Sequence, residues 1–276
     1  MKYEAHGQVI YHGDVLEVLS CLSDESVDLI FADPPYNIGK DFDGLVENWD
    51  EGEFLAWTYK WIDECYRVLK PFGSFYVMNA TENIPYIDLY CRKQWTIKSR
   101  IVWSYDSSGV QAKKYFGSLY EPILMLTKHK SKYTFNHQDI MIEAKTGAVR
   151  GLIDYRKDPP RPYNATKVPG NVWSFPRVRY RMAEYENHPT QKPEALLERI
   201  IRASSNAGDT VLDPFSGSFS TCAVAQRLNR QSIGIEINEE YVKMGIRRLG
   251  LPSHYSAAQL SKEKKRKTNN RSKNSR

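Results

Sequence analysis

Residues 210–238 read TVLDPFSGSFSTCAVAQRLNRQSIGIEIN, and their pattern decides the fold. Thr210–Asp213 is a short apolar run ending on an acid, which predicts a strand. The small residues, Pro and Gly that follow predict a turn, and a helix is expected from about Ser218 to Leu228. Ser232–Ile237 then predicts a second strand carrying Glu236 near its end. Strand, small-residue turn, helix and a strand ending in an acid make the nucleotide-binding layout of a Rossmann-like unit. In that layout Gly217 permits close backbone approach and the helix N-terminus faces an anionic group. Glu236, about 20 residues beyond the turn, is placed for ribose hydroxyls.

Working outward, Glu239–Leu249 predicts a helix after this unit, and PEALLERIIRASS from Pro193 predicts one before it. Pro193 suits a first helical position, and Leu196, Leu197, Ile200 and Ile201 share one face. Further upstream, Gln8–His12 and Ser26–Ala32 predict strands, Val15–Leu22 a helix, and Phe54–Leu69 a helix stopped by Lys70-Pro71-Phe72-Gly73. Ser74–Met78 and Ile97–Tyr105 predict two more strands, and acidic Asp41–Glu53 a surface loop. Between about Val110 and Asn187 the pattern loses regular period. Strands alternating with helices imply a mostly parallel sheet covered on both faces.

Asp33-Pro34-Pro35-Tyr36 follows a buried-strand pattern directly, at the sheet edge where open α/β folds place ligands. The two prolines stiffen the turn and project the carboxylate and the ring. An amino group on a heteroaromatic ring is a poor nucleophile because its lone pair is delocalised. Two acceptors, the Asp33 carboxylate and the Pro34 carbonyl, could bond both amino protons and draw the nitrogen toward tetrahedral geometry. Tyr36 would stack on the base, worth about 1–3 kcal/mol. A third segment, His188-Pro189-Thr190-Gln191-Lys192-Pro193, stands just before the Pro193 helix. Thr190 and Lys192 there either hold a ligand carboxylate or form a solvated cap.

The three segments, in this order over about residues 8–250, resemble the amino-group DNA methyltransferases of the β arrangement. The resemblance implies an α/β fold: a circularly permuted, Rossmann-like class I methyltransferase sheet with an inserted target-recognition region. It divides the chain into a catalytic half (1–109), the insert (110–187), a cofactor-binding half (188–252) and a basic, disordered tail (253–276). It implies S-adenosyl-L-methionine as cofactor and double-stranded DNA as partner. It assigns the flipped base to Asp33, Pro34, Pro35 and Tyr36. The cofactor goes to Asp14, Thr190, Lys192, Asp213, Phe215, Gly217, Ser218 and Glu236. Trp103 stands either as a second wall for the base or as a core tryptophan. The chain departs from the family pattern at Phe219, where a glycine is common, so that side chain either narrows the cleft or turns into the core.

Asp33 in first position favours adenine N6 over cytosine N4, whose enzymes more often begin this motif with Ser. Without a Pro-Cys pair in place of the motif, thiolate attack at cytosine carbon is disfavoured. The resemblance is nearest to solitary bacterial enzymes reading a short palindrome such as ATGCAT, and a homodimer is compatible with it. A cytosine-N4 enzyme and a non-catalytic DNA-binding relative are the alternatives.

Charge is divided sharply. Residues 1–97 carry 7 Lys/Arg against 17 Asp/Glu, whereas residues 98–181 carry 16 against 6. Clustered positive charge of this size suits a polyanion, and Arg156, Arg161, Arg177, Arg179 and Arg181 are the DNA-binding candidates. Four scattered cysteines predict neither a disulfide framework nor a zinc site, and no metal is expected. No run of 18 apolar residues predicts a membrane span, and the opening residues lack a signal-peptide pattern, which makes the cytoplasm the expected compartment.

Overall fold

The computed structural model describes residues 1–39, 48–106, 113–147 and 149–252, and the backbone alone of 41–42 and 45–46. The expected tail at 253–276 and the first residues of the expected insert, 110–112, lie outside the described residues.

A nine-stranded sheet forms the centre. In chain order its strands are β1 (Lys2–Ala5), β2 (Gln8–His12), β3 (Val27–Ala32), β4 (Leu69–Met78), β5 (Thr96–Ser104), β6 (Tyr120–Thr127), β7 (Val172–Ser174), β8 (Thr210–Asp213) and β9 (Gln231–Glu236). Their spatial order is β1-β2-β9-β8-β3-β4-β6-β5-β7. Strands β2, β9, β8, β3 and β4 run parallel, while β6 runs antiparallel to both its neighbours. The last two strands of the chain therefore lie between its second and third, which is the permuted order expected. From β8 the chain crosses to β9 on one side, and from β3 to β4 on the other. The border of β8 and β3 is thus the switch point, where a crevice opens at the strands' C-terminal ends.

Strand β3 shows why both faces must be covered. Its alternate residues Ile30 and Ala32 face a cluster with Leu19 of α1 (Val15–Cys21), Trp61 and Cys65 of α2 (Glu51–Val68) and Ile87 of α3 (Ile84–Cys91). Leu29 and Phe31 face the opposite cluster, against Leu196, Leu197 and Ile200 of α4 (Glu194–Ser204) and Val224 of α5 (Ser220–Arg227). A third cluster joins Tyr3, Ile10 and Phe219 to Val242, Ile246 and Leu249 of α6 (Glu239–Leu249).

Three expectations are corrected. Helix α2 begins at Glu51, inside the expected loop, because the Asp50 carboxylate accepts from the amides of Gly52 and Glu53 and caps it. Helix α3 was not expected; Pro85 occupies its first turn. Most consequential, the range expected as an insert contains two strands of the central sheet, β6 and β7. Ile123–Thr127 is buried at every position between β4 and β5, so it shows no alternation to read. The described residues outside the sheet in that range are largely exposed loops and two-residue ribbons, Ile142–Glu143 with Thr166–Lys167 and Ile153–Asp154 with Arg161–Pro162.

Candidate active site

Every residue expected for chemistry or cofactor binding lines one cleft of about 700 Å³. Strand ends explain the convergence. Asp14 follows β2, Asp33 follows β3, the Phe215–Ser218 turn follows β8, and Glu236 closes β9, all at one edge of the parallel stretch.

On the β8–β9 side, the turn is held by the acid beyond it. Glu236 Oε2 accepts the Gly217 amide at 2.8 Å and Oε1 accepts the Asn238 amide at 2.8 Å. A carboxylate offers about four lone-pair sites, so two backbone donors leave acceptor capacity toward the cleft. Burial pushes the Glu236 carboxyl up, against the pull of those amides. Gly217 has φ of +45°, and a β-carbon there would come 2.7 Å from His188 Nε2. The turn therefore meets the 188–193 segment where only glycine fits. Phe215 floors the cleft, edge-on to Trp57 at 5.7 Å and to Trp61 at 5.1 Å. Asp14 turns one carboxylate oxygen to the Leu16 and Glu17 amides, capping α1. Asp213 accepts the Phe215 amide at 3.1 Å, and burial pushes its carboxyl up to about 7. Ser218 is buried, its hydroxyl 3.0 Å from that of Ser220.

Phe219 does not narrow the cleft. Its ring is fully buried in the α6 cluster. A β-carbon on Gly234 would lie 2.7 Å from the ring, and one on Gly245 would overlap it. The two glycines supply the space that the extra side chain needs.

On the β3 side four polar groups form one cluster. Tyr36 Oη donates to Asp33 Oδ1 at 2.7 Å and lies 3.1 Å from Glu121 Oε2. Lys192 Nζ sits 2.6 Å from Asp33 Oδ2 and 3.5 Å from Glu121 Oε2. The Lys192, Asp33 and Glu121 side chains are only 8, 15 and 17% exposed. Burial pushes the Asp33 carboxyl up, opposed by the Lys192 charge and the Tyr36 hydroxyl. Burial also works against the Lys192 ammonium, but Asp33 and Glu121 outweigh it and hold the ammonium above the ordinary lysine value. Burial and the same two acids push the Tyr36 phenol well up, so it remains a donor.

Of the two readings of Lys192, the solvated cap is corrected: the side chain is buried, paired with Asp33 and Glu121, and lines the cleft beside Thr190. Thr190 lines the cleft, its amide donating to His188 Nδ1 at 3.3 Å. The segment is fastened by Gln191, whose amide side chain bonds Glu184 O and the Glu186 amide. Trp103 resolves as a core tryptophan, 1% exposed, with its indole N–H donating to Phe175 O at 2.9 Å. One edge of it reaches a second cavity of about 50 Å³ shared with Tyr36, Glu121, Arg177 and Lys192.

The sequence pattern did not reveal Glu121, His188 or Trp57 as site residues. Glu121 lies in β6, whose positions from Ile123 to Thr127 are all buried and give no alternation to read. His188 opens a segment already singled out, and Trp57 sits at the helical interval of α2; tertiary packing alone turns both toward the cleft.

The candidate DNA-contacting arginines stand apart from the cleft. Arg161 and Arg179 are exposed, and Arg181 lies 5.7 Å over the Tyr180 ring. Arg177 lies 5.1 Å over the Tyr105 ring and borders the small cavity. Arg156 is paired through two nitrogens with Asp154, at 2.8 and 3.1 Å. No helix among the described residues is long and apolar enough to cross a membrane.

Comparison with known proteins places this architecture. A family model described as DNA methylase, of the N6 and N4 type, matches residues 27–247. The chain belongs to the DNA methylase family. Within that family, the DNA adenine methyltransferase YhdJ of Escherichia coli (strain K12) is 67% identical over 275 residues, covering 100% of this chain and 94% of that protein. Among solved structures, the M1.HpyAVI–SAM complex is 26% identical, with a TM-score of 0.62 over 88% of this chain and 98% of that one. PvuII DNA methyltransferase, which is cytosine-N4-specific, is 19% identical with a TM-score of 0.69 over 94% and 92% of the two chains, a likeness of fold alone. The sheet of this DNA methylase is thus the class I methyltransferase sheet.

Proposed function

We propose that this DNA methylase transfers a methyl group from S-adenosyl-L-methionine to the exocyclic amino nitrogen of an adenine turned out of double-stranded DNA. The observation that carries the reading is that the Asp33 carboxylate and the Gly217–Glu236 turn open into the same cleft.

The residues present fit the cofactor. A cleft of about 700 Å³ is within the range of small-molecule sites. Gly217 clears room for a backbone approach, Glu236 and Asp14 keep acceptors for hydroxyl or amino groups, and Phe215 offers an apolar floor. When bound, the cofactor supplies an electrophilic methyl carbon. Asp33 and the Pro34 carbonyl would accept the two amino protons of the base, and Tyr36 would stack on its plane. A base paired in a duplex cannot reach them, so extrusion is required. Asp33 then stabilises the positive charge that develops on the nitrogen, while fixed geometry supplies alignment.

Adenine rather than cytosine is supported by Asp33 in first position and by the 67% identity to a protein named an adenine methyltransferase. The described residues from 128 to 187 outside the sheet, with Arg156, Arg161, Arg177, Arg179 and Arg181, would face the DNA, reading a short palindrome of the ATGCAT kind. Labelled methyl from the cofactor, incorporated into duplex DNA and followed by nucleoside analysis, tests the reading. N6-methyladenine is the expected product. N4-methylcytosine would move the assignment to the cytosine enzymes, and tight DNA binding with no product would make the chain a non-catalytic relative.

A further inference from the structure

Both oxygens of Asp33 are already engaged by the protein, Oδ1 by the Tyr36 hydroxyl at 2.7 Å and Oδ2 by the Lys192 ammonium at 2.6 Å. On the proposed function, Asp33 must accept a proton from an amino group that becomes cationic as its new bond forms. An ammonium held on the same carboxylate oxygen opposes that charge at close range, in a site with little water to screen it. Lys192 must therefore leave Asp33 before methyl transfer. A buried ammonium cannot simply be released, since a buried charge without a partner is strongly unfavourable. The cluster contains the alternative partner. Glu121 Oε2, 3.5 Å from Lys192 Nζ, is already the more distant of its two ion-pair partners, and it stands on β6. The cavity of about 50 Å³ beside Glu121 is bordered by Lys192 as well, which leaves room for the ammonium to turn.

We propose that Lys192 and Glu121 form a displaceable latch on the catalytic acid: the ammonium occupies Asp33 in the empty enzyme and is handed to Glu121 when the target amino group enters. The inference rests on the reading of Asp33 as the acceptor of that amino group. Lys192 and Glu121 are positioning residues. Glu121 keeps the ammonium neutralised in both positions, so that base entry exchanges one ion pair for another instead of breaking one. The Tyr36 hydroxyl, within reach of both acids, can follow either.

A pair of substitutions tests the latch in the full-length enzyme with duplex DNA and cofactor. Glu121→Gln removes the receiving acid and leaves Lys192 locked on Asp33. Its kcat is expected to fall at least tenfold, with the cofactor Kd from calorimetry unchanged within about twofold. Adding Lys192→Met to Glu121→Gln removes the locked cation and should raise kcat at least fivefold above that of Glu121→Gln alone. A merely structural role for the two residues predicts the reverse, a further loss. Lys192→Gln, which keeps a neutral donor toward Asp33, replaces the methionine variant if thermal melting shows that the latter does not fold. Wild-type turnover in Glu121→Gln, or a double variant no faster than it, overturns the latch while the adenine reading stands. No N6-methyladenine from the wild-type enzyme overturns the reading of Asp33 and the latch with it.

Discussion

The ring of Phe219 fills the space that a side chain on Gly245 would take. Phe219 is itself held at a φ of +56°, unusual for a bulky residue, and its ring packs against α6 where Gly245 leaves the helix surface open. The departure from the family pattern at position 219 is thus absorbed by glycines at 234 and 245, far from it in sequence.

Gly245→Ala is accordingly expected to destabilise the protein, although alanine is favoured over glycine in a helix by about 1 kcal/mol. Overpacking of the ring should outweigh that gain, for a net loss of about 1–3 kcal/mol in urea unfolding. Combining it with Phe219→Leu should recover part of the loss. A Gly245→Ala protein more stable than the wild type would show that the ring can move aside.

Asp33→Ala removes the acceptor while leaving the Gly217–Glu236 turn intact. Methyl transfer should fall by about 10²–10³-fold or more, as for loss of one preorganised electrostatic partner. Cofactor affinity, measured by calorimetry, should stay within a few-fold. Near-wild-type turnover would refute the role given to Asp33.

Glu236→Gln tests the opposite end of the cleft. Its two carboxylate oxygens hold the Gly217 and Asn238 amides, and glutamine can serve only one of them as acceptor. The cofactor Kd is expected to rise about tenfold, corresponding to about 1.4 kcal/mol, with little change in turnover at saturation. Unchanged affinity would separate Glu236 from the cofactor.

Asp213 should make stability depend on pH. Its carboxyl is raised from an ordinary 3.8 to about 7 by burial, so between those values the folded chain holds a proton that the unfolded chain has released. Stability then falls as pH rises across that window and levels off above it. Asp213→Asn keeps an acceptor for the Phe215 amide without the charge. Its melting temperature relative to wild type should therefore climb from pH 4 to pH 7, by the equivalent of at most about 4 kcal/mol at 1.36 kcal/mol per unit. A difference independent of pH would place the Asp213 carboxyl in its ordinary range.

The arginines outside the sheet should give DNA binding a steep salt dependence. The logarithm of the binding constant should fall linearly with that of salt, and Arg161→Ala or Arg179→Ala should flatten the slope by about 1 each if they contact phosphate. A flat response in the wild type would exclude this surface as the DNA-facing one.

Where side chains repeat with a clear period or stand in a short fixed spacing, the chain alone was enough. The expected limits of β2, β8 and α6 match the observed ones, and the Asp33–Tyr36, Phe215–Ser218 and Glu236 segments reach the same cleft because parallel strands all end on one side. What depends on contacts between distant residues was hidden. Strand β6 is buried on both faces from Ile123 to Thr127 and shows no alternation there, so Glu121 was invisible although it is central to the cluster. Lys192 read either as a partner for a ligand carboxylate or as a solvated cap, and only packing against Asp33 and Glu121 determines where its charge goes. Local pattern governs which elements form, because backbone preference and amphipathic period act over a few residues. Three-dimensional packing governs which buried charges share a partner, because desolvation and Coulomb attraction depend on distances through space.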